Sequence, residues 1–274
     1  MTEKITNTEE KGINTSYKKL SIQISLNGLS FCILDTIINK VVLWDAVSLK
    51  IESTPYLILK ELKALLNKHK LLDQKFSEVV VVHKNNLFSI VPKTLFDEKE
   101  LANYLKFNTK LLANDHIVYD ELENQDMVCV YVPFTNINNY VFDNFGEFEF
   151  RHSSTALLHT LLHQKPSSKP VCYVHVAERE MELVVLNQKK VMLYNQFNYR
   201  TKEDFLYYIL FAFEQLNLDT ENNKLKLFGK IEEDNELFKI CYTYIKKVSV
   251  FLPKHTSYTF EEGTEESIDL TLFN

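Results

Sequence analysis

The residues that could do chemistry are few and scattered. Three histidines, His152, His159 and His163, fall in one short stretch. His159 and His163 are four apart, so on a helix they share a face, and an H-x-x-x-H pair can form half of a zinc site. Thr160, Leu161 and Leu162 lie between them, without the glutamate that the zinc-protease helix uses as its base. They therefore read as locally bonded histidines, and no metal ligand is assigned. Cys32, Cys129, Cys172 and Cys241 are far apart, and none belongs to a C-x-x-C pair. Three of them sit inside apolar runs, as small buried thiols in a reducing compartment do. The chain contains no G-x-x-x-x-G-K-[ST] phosphate loop and no G-x-S-x-G nucleophile elbow, and its 5 glycines leave few places where backbone can approach a phosphate closely. No catalytic residue is assigned. Asn27-Gly28 is the turn best suited to an anion, because both residues tolerate positive φ. Its ordinary reading is a hairpin turn.

The elements that must position these residues follow from periodicity. Leu20-Ser-Ile-Gln-Ile-Ser25 alternates as a half-buried strand does. After Asn27-Gly28 come strands at Phe31–Asp35 and Val41–Val47. Ser53-Thr54-Pro55 starts a helix, a hydroxyl capping its free amides and proline fitting its first turn. Leu57, Leu59, Leu62, Leu65 and Leu66 continue it at helical spacing. Val79–Val82 is apolar throughout, a pattern that suits a sheet covered on both faces. The pattern then predicts strands at 87–91, 117–121, 127–132 and 147–151, and helices at 97–107, 135–145 and 154–163. Lys165-Pro-Ser-Ser-Lys-Pro170 has two prolines and no large apolar residue, so it reads as a linker.

Beyond it the order begins again, with strands at 171–177, 182–186 and 191–197, a helix capped by Thr201, a strand at 224–228, a helix at 236–246, and short strands at 248–252 and 257–260. Phe205–Phe213 is apolar almost all round and predicts a buried core helix. Lys60, Lys63, Lys68 and Lys70 alternate with leucines as a solvated face. The expected organisation is a flexible lead-in over 1–17, a first lobe over 18–164, the linker over 165–170, and a second lobe with an acidic tail over 171–274.

Composition sets the class. Of the 274 residues 45% are apolar, with 19 Phe and 14 Tyr, enough for a sizeable core. The net charge of −6 argues against a nucleic-acid partner, which needs a basic face. No run approaches the ~20 apolar residues of a membrane span, and the polar start lacks the apolar core of a signal peptide. The expectation is a cytoplasmic protein without membrane insertion.

The two halves match in pattern. Ile24-Ser-Leu-Asn-Gly-Leu-Ser-Phe-Cys-Ile-Leu34 lies beside Val176-Ala-Glu-Arg-Glu-Met-Glu-Leu-Val-Val-Leu186 with apolar positions largely coincident. Val41–Asp45 lies beside Val191–Asn195 after a two-residue contraction in the turn. A three-strand meander, a helix, a strand and a helix, occurring twice, resemble the two lobes of the actin-like ATPase superfamily. Type IV pilus assembly ATPase-like proteins and cell-division actin homologues share that plan. Residues 18–260 also resemble an uncharacterised Bacteroidetes family, domain of unknown function 3822, with an actin-like ATPase fold. The resemblance implies an α/β, duplicated two-lobed, ribonuclease-H-like fold.

It also implies where a nucleotide would sit. In the superfamily an Asp ends the first strand of each lobe and a Gly follows two residues later. The acid organises a metal ion, and the glycine lets backbone amides reach phosphate. Those positions fall on Ser25 and Asn27 (with Gly28 beside it) in the first half, and on Ala177 and Arg179 in the second. The base-contacting turn falls on Gly229 alone, where a glycine pair is usual. Both acids are missing, and phosphoryl transfer depends on metal-aided charge stabilisation. The expectation is a non-catalytic scaffold or adaptor that binds another protein. The alternative is a divergent ATPase or nucleotide sensor holding ATP through Ser25, Asn27, Gly28, Arg179 and Gly229. A homodimer through one meander edge is a third possibility.

Overall fold

The computed structural model describes residues 4–5, 17–49, 51–107, 109–112, 114–122 and 125–251. The described chain divides into two compact units between His159 and Thr160.

In the first unit, β1 (Lys4–Ile5) precedes the meander β2 (Lys18–Ser25), β3 (Gly28–Asp35) and β4 (Lys40–Ser48). On β2, Leu20, Ile22 and Ile24 are fully buried, while Ser21, Gln23 and Ser25 point to the other face, as strand alternation requires. α1 (Pro55–Lys68) follows. Thr54 caps it by accepting from the Leu57 N–H, Pro55 opens it, and Ile58, Leu62, Leu65 and Leu66 form its buried stripe. Each such leucine or isoleucine contributes about 1.5–3 kcal/mol by leaving water.

β5 (Glu78–His83) then lies parallel to β2. β6 (Phe88–Pro92), α2 (Leu101–Leu105), β7 (Val118–Leu122) and β8 (Met127–Tyr131) form an inserted layer with sheet order β6-β8-β7. Its own core is Val91, Leu105, Val128, Val130 and Val132. α2 is shorter than its pattern predicts, because a 3-10 turn at Glu98–Glu100 takes its first residues. α3 (Thr135–Phe145), β9 (Phe148–His152) and α4 (Ser153–Leu162) complete the series. The main sheet has the order β1-β9-β5-β2-β3-β4. β1 pairs with Glu149 and Phe148 of β9, so two residues of the lead-in are strand.

The second unit carries β10 (Val171–Val176), β11 (Glu180–Asn187), β12 (Lys190–Asn198), α5 (Lys202–Gln215), β13 (Lys224–Gly229), α6 (Glu236–Tyr244) and β14 (Lys247–Val250). Its sheet order is β12-β11-β10-β13-β14. This is the order β4-β3-β2-β5-β9 of the first unit, with the same strand directions. The correspondence reaches single residues. Ile24 pairs with Leu29 as Val176 pairs with Met181, and the register slips after Ile33 as it slips after Val185. The strand expected at 257–260 and the acidic tail lie outside the described residues.

Thr201 and Asp204 close a capping box at the start of α5. Phe205, Leu206, Ile209, Ala212 and Phe213 pack on Cys172, Val174, Val176, Met181, Leu183 and Val185. The helix is not buried all round: Tyr207 and Phe211 stay 60% and 45% exposed. All four cysteines are buried, and none forms a disulfide.

Candidate functional site

The first hairpin turn consists of Leu26 and Asn27, with Gly28 already the first residue of β3. This corrects the Asn27-Gly28 turn expected from the sequence. Gly28 is required for another reason. Its φ is +154°, and a Cβ there would lie 2.4 Å from the Val47 carbonyl oxygen. β4 crosses too closely for any side chain. The Ser25 hydroxyl and two carbonyls of the turn are engaged within the fold. The Ser25 hydroxyl donates to the Gly28 carbonyl at 2.9 Å. The Leu26 and Asn27 carbonyls accept from the Ser53 and Leu49 amides, both at 2.8 Å.

The second hairpin is closed by the Ala177 N–H donating to the Glu180 carbonyl at 2.9 Å. Tyr199 holds its rim. Its hydroxyl donates to the Ala177 carbonyl at 2.5 Å, and its amide donates to the Arg179 carbonyl at 3.0 Å. The Arg179 side chain is exposed. Gly229 ends β13 with φ +91°, and a Cβ there would meet the Val176 carbonyl oxygen at 2.5 Å and the His175 ring at 2.8 Å. Ser25, Asn27 and Gly28 thus share one turn of the first unit, and Arg179 and Gly229 flank the end of β10 in the second. The two strand ends present a hydroxyl and a methyl group. Glu178 is exposed in the second turn, and the Glu182 carboxylate is buried in hydrogen bonds of its own. A Mg²⁺ site uses one or two carboxylates together with the substrate phosphates. These strand ends do not fit a Mg²⁺–nucleotide group.

Sequence reasoning missed a buried polar network in the first unit. His83 ends β5 fully buried, and its Nδ1 accepts from the Phe134 amide at 3.3 Å. Nε2 therefore carries the proton and donates to Asn138 Oδ1 at 2.9 Å. Burial pushes His83 down to about 3. His152 Nε2 donates to the Asn85 carbonyl at 3.1 Å, which leaves Nδ1 to accept from the Ser154 hydroxyl at 2.7 Å. The Cys129 thiol donates in turn to Ser154 Oγ at 3.3 Å. Asp120 receives the His152 amide at 2.8 Å and the Tyr131 hydroxyl at 3.1 Å. Burial pushes Asp120 up to about 6, against those bonds, and the Cys129 thiol up to about 12. The Cys–Ser–His order has the look of nucleophile chemistry, yet every member is buried. It joins β7 and β8 of the inserted layer to β9 and α4, and serves packing. His152 stands out in the sequence only as part of a histidine cluster, and Asp120 and Cys129 come from other segments that the fold alone brings to it and to Ser154.

His159 and His163 are exposed, whereas His152 belongs to β9 and this network. Among the described residues no group of three or more His, Cys, Asp or Glu could hold a metal ion. No helix of the described residues is long and apolar enough to cross a membrane.

Two units of the same mixed-sheet topology, each opened by a hairpin, define an actin-like ATPase fold. A Bacteroides thetaiotaomicron protein with that fold and unknown function is similar over 89% of this chain and 93% of its own, at a TM-score of 0.77 and 20% identity. A structure of the PilM–PilN type IV pilus biogenesis complex is similar over 90% of this chain and 93% of the other, at a TM-score of 0.61 and 11% identity. The chain belongs to the family described as protein of unknown function (DUF3822), whose model matches residues 7–248. No curated protein matches it.

Proposed function

We propose that this protein is a non-catalytic adaptor of the actin-like fold that binds another protein. One observation carries the reading: Ser25 and Ala177 stand at the two strand ends where the fold's metal-organising acids belong, and Ser25 is turned onto Gly28. Removing both carboxylates removes the charge that phosphoryl transfer relies on. A protein-binding role is supported by the second unit, where Tyr207 and Phe211 of α5 stack on each other in solvent and Tyr242 and Tyr244 of α6 are 63% and 57% exposed. Exposed aromatic groups of this kind favour protein contacts. The PilM–PilN complex shows that a protein of similar fold takes part in a protein assembly.

Thermal unfolding with and without about 5 mM Mg²⁺–ATP tests the reading, since a ligand present at 100 times its Kd stabilises by about 2.7 kcal/mol. An unchanged midpoint is expected. A rise of several degrees that needs Mg²⁺ would instead favour the nucleotide-sensing alternative.

A further inference from the structure

The helix α5 has a counterpart in the first unit that serves as an internal control. α1 and α5 are each 14 residues long, and each follows a threonine N-cap, Thr54 or Thr201. Aligned on those caps, the buried Ile58, Leu62, Leu65 and Leu66 of α1 fall on the buried Phe205, Ile209, Ala212 and Phe213 of α5. The packed faces match, and the outer faces do not. Tyr207 stands where α1 carries Lys60, and Phe211 where it carries Ala64. Lys60 and Ala64 are exposed and serve the same arrangement of helix on sheet. Folding therefore does not call for aromatic rings that stay 60% and 45% exposed at these two places.

The exposed rings belong to a stripe with charge at both ends. Glu203, Tyr207, Phe211 and Glu214 follow one another at helical spacing, so they share one face, and all four are exposed. The rings of Tyr207 and Phe211 stack with centroids 6.0 Å apart and planes at 22°. Tyr207 meets Tyr208 edge-on at 5.4 Å, and Tyr208 stacks on Phe197 of β12 at 4.3 Å. This row braces Tyr207 from the side, so little side-chain freedom remains to be lost on binding. At 1.5 Å per residue, the carboxylates of Glu203 and Glu214 bracket the two rings about 16 Å apart. Lys202 is bound to Glu236 at 3.1 Å, which brings the exposed acidic turn Glu232-Glu-Asp234 near the start of α5. The outer face of α1 has the opposite character, with Lys60, Lys63 and Lys68 exposed.

We propose that this ridge of α5 docks a cationic amphipathic helix of a partner protein, one in which two basic residues bracket an apolar pair. Tyr207 and Phe211 take the apolar pair. Glu203 and Glu214 take the basic residues at either end, where an arginine pairs with the carboxylate and lies against the neighbouring ring. Two helices crossing at about 20° keep such rows in register over three turns. Charge complementarity selects the partner, because an acidic or neutral helix would leave both glutamates facing repulsion or no partner. The inference deepens the adaptor reading and rests on it for the partner being a protein.

The probe is a fluorescein-labelled helical peptide of about 14 residues. It carries arginine, leucine, leucine and arginine at the spacing of Glu203, Tyr207, Phe211 and Glu214, in a background of alanine and glutamine. Fluorescence anisotropy with the full chain at about 0.15 M salt reads the binding. The expected Kd is about 10–100 µM. Tyr207→Lys with Phe211→Ala installs the residues that α1 carries at these places, and should weaken binding about tenfold or more. Glu203→Gln with Glu214→Gln should weaken it about threefold or more, and a peptide with glutamate in place of arginine should not bind. No saturation by about 1 mM, equal binding to the ridge variants, or equal binding of the glutamate peptide overturns the proposal. Sedimentation covers the competing occupant: self-association of the protein alone that Tyr207→Lys with Phe211→Ala abolishes would assign the ridge to a second copy and overturn it too. The peptide series on the unaltered protein decides even if a variant does not fold. No peptide binding with a thermal midpoint unmoved by Mg²⁺–ATP rejects the ridge and leaves the adaptor reading, whereas peptide binding with a Mg²⁺-dependent rise keeps the ridge and rejects that reading.

Discussion

Replacing Asp120 with asparagine should alter the slope of stability with pH, not only its level. Asp120 is pushed up to about 6 in the folded chain from an ordinary value of 3.8. Between those values the folded state holds the extra proton, so this group adds stability as pH falls and removes it as pH rises. At 1.36 kcal/mol per unit, the two units between about pH 6 and about pH 4 amount to about 3 kcal/mol. The wild type conceals this because His83 works in the opposite sense. Its folded value of about 3 lies below the ordinary 6.5, so its contribution shrinks as pH falls from 6.5. Over the shared window the two contributions nearly cancel. Asp120→Asn removes only the first, so the variant should lose about 3 kcal/mol relative to wild type from about pH 6 to about pH 4. A constant offset comes on top, because the amide cannot accept both the His152 N–H and the Tyr131 hydroxyl as the carboxylate does. Urea unfolding followed by fluorescence reads the effect. The chain has 1 tryptophan, Trp44 on β4, so the signal reports the first unit. An offset that stays the same to within about 0.5 kcal/mol across that window would refute the linkage argument.

Three further substitutions test the packing that holds the sites. Gly229→Ala should destabilise by about 2–4 kcal/mol, since it combines positive φ with contact on the Val176 carbonyl; near-ultraviolet circular dichroism in denaturant should show it. Asn138→Ala leaves the buried His83 Nε2–H without its acceptor, and should lower unfolding stability in the Trp44 assay by about 1–3 kcal/mol. Thr201→Ala removes the N-cap of α5 and should lower stability by about 1 kcal/mol, read by far-ultraviolet circular dichroism.

Much of the fold was legible because its strands and helices differ in period. Leu20, Ile22 and Ile24 mark β2 by alternation, and Thr54-Pro55 and Thr201 mark helix starts by capping chemistry, which is local. The match of Ile24–Leu34 with Val176–Leu186 anticipated the recurring strand order; the register slip in each meander was not visible in it. What was not legible depends on distant partners. Asn27-Gly28 signalled a turn, but the demand for glycine comes from β4 passing over it. Phe205–Phe213 looked apolar all round because tyrosine and phenylalanine count as core letters wherever they point. Only the packed helix shows Tyr207 and Phe211 outside. His175 and Glu182 are seven residues apart in sequence and become neighbours only through the β10–β11 register.

The proposed non-catalytic adaptor role implies that this chain does not bind Mg²⁺–ATP. Calorimetric titration of the purified protein with ATP, with and without Mg²⁺, addresses it most directly. The account predicts no Mg²⁺-dependent binding heat up to about 1 mM ATP, an affinity limit near −4 kcal/mol. A saturable, Mg²⁺-dependent isotherm with a Kd of about 10 µM or tighter would show that other residues have replaced the missing acids, and would contradict it.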